Sequence, residues 1–265
     1  MSTDYSPTTV VCTGIADRPR YLTQVDHGEL DLAYLCERTG NPYLRILANW
    51  PARLQNPSCF RQSDVRPESL APRAVLVHTG PPVHRQLVVD PAKACDAGDV
   101  AWTIVAHWLS KIAGIDIESL TFGNELCPRC LSKRGRPALE QVSGLYFSLS
   151  RSEEIVAVAV APSPVGVDVQ VHGPTNHELL SSLHRTERAF IRRQPDQAVL
   201  TRCWTRKEAV LKAMGVGVAH GVSHPLVGAG LSPFPVDGYE LHDIALTSRF
   251  AAAIAHKPLQ RKAAQ

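Results

Sequence analysis

The chain has 265 residues, 44% hydrophobic and 20% charged, enough apolar content for one substantial core or two smaller ones, which excludes disorder throughout. Its net charge of +3 comes from basic residues scattered along the sequence, so nucleic-acid binding is not expected. The longest apolar run, 155–161, is too short for a bilayer span and the first residues lack the parts of an export signal, so a cytoplasmic protein without a membrane partner is expected, its 7 irregularly spaced cysteines reduced.

In chain order, 30–38 and 43–50 read as helices, followed by a Pro- and Arg-rich stretch over 51–73. Residues 74–78 and 86–89 read as strands flanking the Gly80-Pro81-Pro82 turn, and Asp99 is placed to cap a helix that stops at Gly114. From Gly144 onward the pattern sharpens into three short strands, 145–150, 155–160 and 165–171, which suggest an antiparallel meander. One helix is expected over 178–192 and a second over 201–214, ended by Gly215 and Gly217. Strands over 238–246 and 249–255 close the pattern. The expected division is an N-terminal part, 1–143, a C-terminal part, 144–257, and a tail, 258–265.

The chemistry concentrates in two of these segments. On the helix over 201–214, Trp204, Glu208 and Lys212 are four residues apart and form one column, which puts a carboxylate and an ammonium at one spot. On the strand over 165–171, Asp168 and Gln170 share a face while Val167 and Val169 take the other. The plainer reading is an exposed pair on the helix and a solvent-facing aspartate on the strand. The chemical reading is a site for a divalent cation and a phosphate, because hard cations take oxygen ligands.

Phe147-Ser148-Leu149-Ser150, Gly166-Val167-Asp168-Val169 and Trp204-Thr205-x-Lys207-Glu208-Ala209-x-x-Lys212-x-x-Gly215 resemble the ordered signatures of the Sfp-type 4'-phosphopantetheinyl transferases. Cys127-Pro128-Arg129-Cys130 followed by Gly135-Arg136-Pro137 is similar to a further segment of that family. The likeness runs from about Asp99 to His256. It implies an α+β, pseudo-twofold fold of two subdomains with coenzyme A and Mg2+ in the cleft between them. It also implies a transferase of the holo-[acyl-carrier-protein] synthase type, a monomer that arms an acyl or peptidyl carrier protein.

By the same resemblance Asp168, Glu208 and Gln170 would hold the metal, and Glu208 would take the proton of the carrier serine. Lys212 would pair with a phosphate and share in catalysis. Arg136, Pro137, Ser150 and Arg151 would complete the coenzyme A site, with Arg136 facing the nucleotide end. Glu187 matches an acidic position of the family, and a solvated helix face explains it as well.

Two residues depart from the family pattern. Arg151 stands where the family usually has histidine, and Gln170 stands where it usually has a second acid, so weaker Mg2+ binding is expected. The helix over 99–114 offers His107 and Lys111 where arginines would be expected toward the nucleotide. These differences leave open a relative that binds carrier protein or coenzyme A without transferase activity, or does other chemistry on a carrier-bound intermediate. Cys127 and Cys130 supply half a zinc set, but no second pair stands at a suitable spacing, so a cysteine-bearing loop is expected. His220 and His224 read as loop histidines, since Gly221 and Pro225 oppose a helix between them.

Overall fold

The structure, a computed structural model, describes residues 38, 45–50, 73–78 and 97–258 apart from 154, 175, 245 and 247. The strand expected over 86–89 lies outside the described residues, as does all of the helix expected over 30–38 except Arg38, which is helical. None of the described helices is long and apolar enough to cross a membrane.

Two antiparallel sheets lie face to face between two long helices. The larger has six strands, β1 (Arg45–Trp50), β2 (Arg73–His78), β3 (Phe122–Asn124), β4 (Pro137–Leu139), β5 (Tyr146–Ser152) and β6 (Ile155–Ala161), in the order β1-β2-β6-β5-β4-β3. The smaller holds β7 (Val165–Val171), β8 (Glu240–Ile244) and β9 (Phe250–His256) in the order β7-β9-β8. Helix α1 (Ala97–Ala113) covers the outer face of the large sheet. Helices α2 (His177–Ser182), α3 (Arg185–Arg193) and α4 (Gln197–Met214) lie on the side of the small sheet.

Strand β6, Ile-Val-Ala-Val-Ala-Val-Ala, explains this layering because every residue of it is buried. Val156, Val158 and Val160 pack under α1, while Ile155, Ala157, Ala159 and Ala161 meet Val165, Val167 and Val169 of the small sheet. The period-two alternation of a strand thus separates two apolar contacts, with alanines where sheet meets sheet. The small sheet repeats the device: Ile254 faces the large sheet, and Ala253 and Ala255 face α4.

Several expectations change here. Residues 45–50 are a strand rather than part of a helix over 43–50, because Arg45–Trp50 pairs antiparallel with β2 and sheet pairing overrides a weak local preference. The meander stops after two strands: Pro162-Ser163-Pro164 breaks the chain, and β7 pairs with β9 instead of β6. The division between sheets therefore falls at these prolines, inside the part expected to begin at Gly144. The single helix expected over 178–192 is two, because His184 is extended and its Nδ1 accepts the Thr186 N–H, opening a new helix. Helix α1 begins at Ala97, ahead of the cap expected at Asp99.

Strand β7 is an edge strand whose outward N–H groups are met by side chains. Ser148, Ser150 and Ser152 of β5 accept hydrogen bonds from the N–H groups of Val167, Val169 and Val171, at 3.1, 3.4 and 2.9 Å. The serine repeat of β5 therefore stitches the two sheets together where no backbone ladder runs.

On its other face β7 meets α4 at backbone distance. A Cβ at Gly166 would lie 2.0 Å from Ala209 O and 2.5 Å from Ala213 N. Only a residue without a side chain permits this approach. Gly166→Ala is expected to destabilise the protein by about 3 kcal/mol or more, a drop of roughly 6–12 °C in Tm. Thermal melting of the purified variant checks this, and an unchanged Tm refutes the close packing.

Candidate active site

The Gly166 contact sets the register of β7 against α4 and so brings Asp168 to the helix column of Glu208 and Lys212. Asp168 is 1% exposed, yet its Oδ1 accepts from Lys212 Nζ at 2.7 Å and from Ser150 Oγ at 2.7 Å. Lys212 Nζ also donates to Val167 O at 3.1 Å. The ammonium therefore crosses from helix to strand, so the plain exposed pair within α4 is not what forms. A buried carboxylate is tolerated only with such partners.

Glu208 stands beside this pair. Burial pushes its pKa up from 4.5, the nearby Asp168 charge pushes it further, and Lys212 offsets part of the effect. Two carboxylates thus share one ammonium in a half-closed place. Their oxygens suit a hard divalent cation, which would relieve the repulsion that raises Glu208, and Asp168 and Glu208 are the residues that would hold it. Gln170 shares this neighbourhood, with Nε2 3.4 Å from Asp168 Oδ2. Along α4 from Thr201 onward, Trp204, Glu208 and Lys212 are part-exposed, as are Arg202 and Met214, while Thr205, Arg206, Lys207, Ala209, Val210 and Leu211 are buried, so the column lies on the side of the helix that opens outward.

Lys212 also lines a cleft of about 250 Å³ with Trp102, Arg134, Arg136, Pro137 and Ser148. That volume lies just under the usual range for small-molecule sites, enough for part of a nucleotide-sized ligand. Arg136 is less free than its motif suggests. Its Nε donates to Glu125 Oε2 at 2.5 Å, its Nη1 donates to Ala213 O at 2.8 Å, and the guanidinium sits 5.0 Å from the centre of the Tyr146 ring. The arginine closes the C-terminal end of α4 against the loop ahead of β4, so part of its expected phosphate fork is already committed. Ser150, expected at the coenzyme, is buried with its hydroxyl on Asp168 and under Val169 N–H, which makes it a positioning group. Arg151 is exposed on the next position of the strand.

Sequence reasoning missed several residues. Arg134, exposed, lines the cleft two positions before Arg136, and the Gly-Arg-Pro word drew attention away from it. Trp102 reaches the cleft from α1, edge-on to Phe122 and Phe147, whereas His107 of that helix is buried. Glu187 is no solvated helix residue. It is 1% exposed, pairs with Lys207 Nζ at 2.8 Å, and accepts from Val227 N at 2.9 Å. Arg206, fully buried, holds Asp243 through Nε at 2.8 Å and the carbonyls of Gly228 and Gly230 at 2.7 and 2.9 Å. The sequence leaves Glu187 open between a family acid and a solvated helix face and carries no signal for Arg206, because their partners lie far along the chain.

Residues 164–258 match the model of the 4'-phosphopantetheinyl transferase superfamily. The chain is 26% identical over 124 residues to 4'-phosphopantetheinyl transferase psf-1 of Bacillus pumilus, covering 45% of this chain and 50% of that protein. It is 38% identical over 98 residues to 4'-phosphopantetheinyl transferase HetI of Nostoc sp., 32% of this chain and 40% of that one. To 4'-phosphopantetheinyl transferase AcpT of Salmonella typhi it is 27% identical over 145 residues, 49% of this chain and 74% of the relative. The matched part thus spans about half the length of the first of these relatives.

Two outcomes test this site without turnover. The raised pKa of Glu208 means that the unfolded chain ionises first, so stability is lost as pH climbs from the ordinary glutamate range through the folded value. Glu208→Gln, neutral at every pH, should melt higher than the parent at neutral pH in metal-free buffer and lose that pH dependence. Melts run from about pH 4 to 8 check it, and a variant that melts lower refutes the strained carboxylate pair. Lys207→Met should cost about 3–5 kcal/mol by leaving Glu187 buried and unpaired, read from denaturant unfolding.

Proposed function

We propose that this chain, a member of the 4'-phosphopantetheinyl transferase superfamily over residues 164–258, moves the 4'-phosphopantetheine arm of coenzyme A to a serine of an acyl or peptidyl carrier protein. The observation that carries this reading is the convergence of Asp168, Lys212 and the desolvated Glu208 beside the Arg136 cleft. The names of these relatives, all 4'-phosphopantetheinyl transferases, support it. In this reading the two halves, each a sheet with one long helix, form a pseudo-twofold monomer that works in the cytoplasm.

The carrier serine oxygen attacks the β-phosphate of coenzyme A, the pyrophosphate bond breaks, and 3',5'-ADP leaves with the bonding electrons. The serine proton passes to the Glu208 carboxylate, directly or through water. Its raised pKa brings it nearer working pH, where a base both stays ionised and accepts a proton readily. Asp168 and Glu208 would hold Mg2+, which would supply positive charge against that building on the transferring phosphate. Lys212 holds Asp168 in place and adds a fixed positive charge at the cleft, and Ser150 fixes the other side of the same oxygen. Arg134, the remaining donors of Arg136 and the exposed Arg151 supply cations for the nucleotide end.

Incubation with coenzyme A, Mg2+ and apo carrier proteins tests the reading: a carrier should gain the mass of a phosphopantetheine arm. Glu208→Gln should lower turnover by about 10²–10⁴-fold. Coenzyme A or carrier binding with no mass gain on any carrier favours a repurposed relative instead. Gln170→Glu should tighten Mg2+ binding measured by calorimetry, and an unchanged affinity removes that residue from the metal.

A further inference from the structure

Apart from the carboxylate pair, the fold closes a second cluster that the sequence keeps apart. Cys127 and Cys130 lie in the loop ahead of β4, and His220 lies in the short 3-10 turn 218–220 that follows α4. Cys127 Sγ is 3.4 Å from His220 Nε2, and the two sulfurs and an imidazole nitrogen all lie within 4.8 Å of one another. We propose that Cys127, Cys130 and His220 bind a zinc ion that pins the Arg136-bearing loop to the turn beyond α4.

The distances support a shared ion. Tetrahedral zinc with sulfur at about 2.3 Å and imidazole nitrogen at about 2.0–2.1 Å sets its ligand atoms roughly 3.5–3.8 Å apart. The Cys127–His220 separation is already there, and Cys130 needs to close by an ångström at most. A thiol-imidazole hydrogen bond would account for the first pair, but it gives no reason for Cys130 to converge on the same spot.

The loop is organised around the cysteines. Leu131 N donates to Cys127 O at 2.8 Å and Cys127 N to Ser132 O at 2.8 Å, a tight turn in which Leu131 takes a φ of 58°. The turn puts Cys127 and Cys130 on one side. His220 is steadied by Arg129, whose Nη1 donates to the His220 carbonyl at 3.0 Å. Ser132 Oγ stands 3.2 Å from Cys130 Sγ, the kind of outer contact that orients a metal-bound thiolate.

Two sulfurs and one imidazole select zinc over magnesium, since soft thiolate ligands do not suit a hard cation. Among the described residues no fourth histidine, cysteine or carboxylate joins the set. Cys127 is buried and Cys130 exposed, so the open fourth position faces solvent and takes water. The same loop carries Glu125, which holds Arg136, and the turn past α4 begins at Gly215 and Gly217 on the rim of the cleft. One ion therefore ties both rims together.

The full-length protein, purified without added metal, should contain close to one equivalent of zinc by elemental analysis. After reduction and zinc removal, Co2+ titration should give the thiolate charge-transfer and tetrahedral visible bands. Cys127→Ser, Cys130→Ser and His220→Ala should each weaken Co2+ binding at least about tenfold, whereas Cys203→Ala should leave it unchanged. A chelator should lower the Tm of the parent but not of His220→Ala. Absence of zinc together with no Co2+ spectrum in the folded, reduced parent overturns the proposal. So does a Cys127–Cys130 disulfide that, once reduced, takes up no metal, or a His220→Ala variant that binds as tightly as the parent.

Discussion

A carboxylate held almost out of water, at the line where two sheets and one helix meet, is the constraint on which the arrangement rests. Asp168 is 1% exposed and depends on an ammonium from α4 and a hydroxyl from β5. Either partner alone would leave a lone pair or a charge poorly compensated in a low-dielectric place. The donors come from opposite halves of the molecule, so Asp168 is satisfied only when β5, β7 and α4 are all docked. Gly166, two residues earlier on the same face, is what lets the helix come close enough for Lys212 to arrive.

The stiffness of α4 has the same origin. Arg206 and Lys207, at the centre of the helix, are buried and paired, one with Asp243 and the 228–231 carbonyls, the other with Glu187 and Pro225 O. These contacts fasten α4 to the loop over 225–231, to β8 through Asp243 and to α3 through Glu187. Breaking a pair of this kind costs several kcal/mol because the abandoned charge stays buried, so such contacts specify one geometry more than they add stability. Glu208 and Lys212 are thereby presented from a rigid element, as a site that must hold charges within a few tenths of an ångström requires.

The readable parts of the sequence were those whose signal is local. The alternation in β5, β6 and β7, the Gly215 stop and the four-residue column of Trp204, Glu208 and Lys212 all depend on neighbours within a turn or a strand. What stayed hidden depends on partners far away in the chain. The serines of β5 are polar residues at every second position of the strand, yet they are buried and bond the edge of β7. Glu187 read equally well as a solvated residue until Lys207 and Val227 came to it. Residues 45–50 read as helix because the strand they pair with lies more than twenty residues on. His220 read as a loop histidine because Cys127 precedes it by 93 positions.

Charge bookkeeping at the cleft connects these observations to the proposed reaction. Asp168 and Glu208 bring two negative charges against the single positive charge of Lys212, and the pKa of Glu208 is raised first by burial and then by the neighbouring Asp168 charge. A pyrophosphate entering this place would deepen it, so binding needs cations beyond Lys212. Arg134 stands at the cleft, and Arg136 keeps donors beyond those given to Glu125 and Ala213, but neither relieves the two carboxylates directly. In the proposed reaction a divalent ion held by both would, and coenzyme binding would then depend on metal binding. Gln170 bears on the same balance: a third carboxylate beside Asp168 would raise metal affinity and make the metal-free site less stable, and the neutral amide forgoes the first effect and avoids the second.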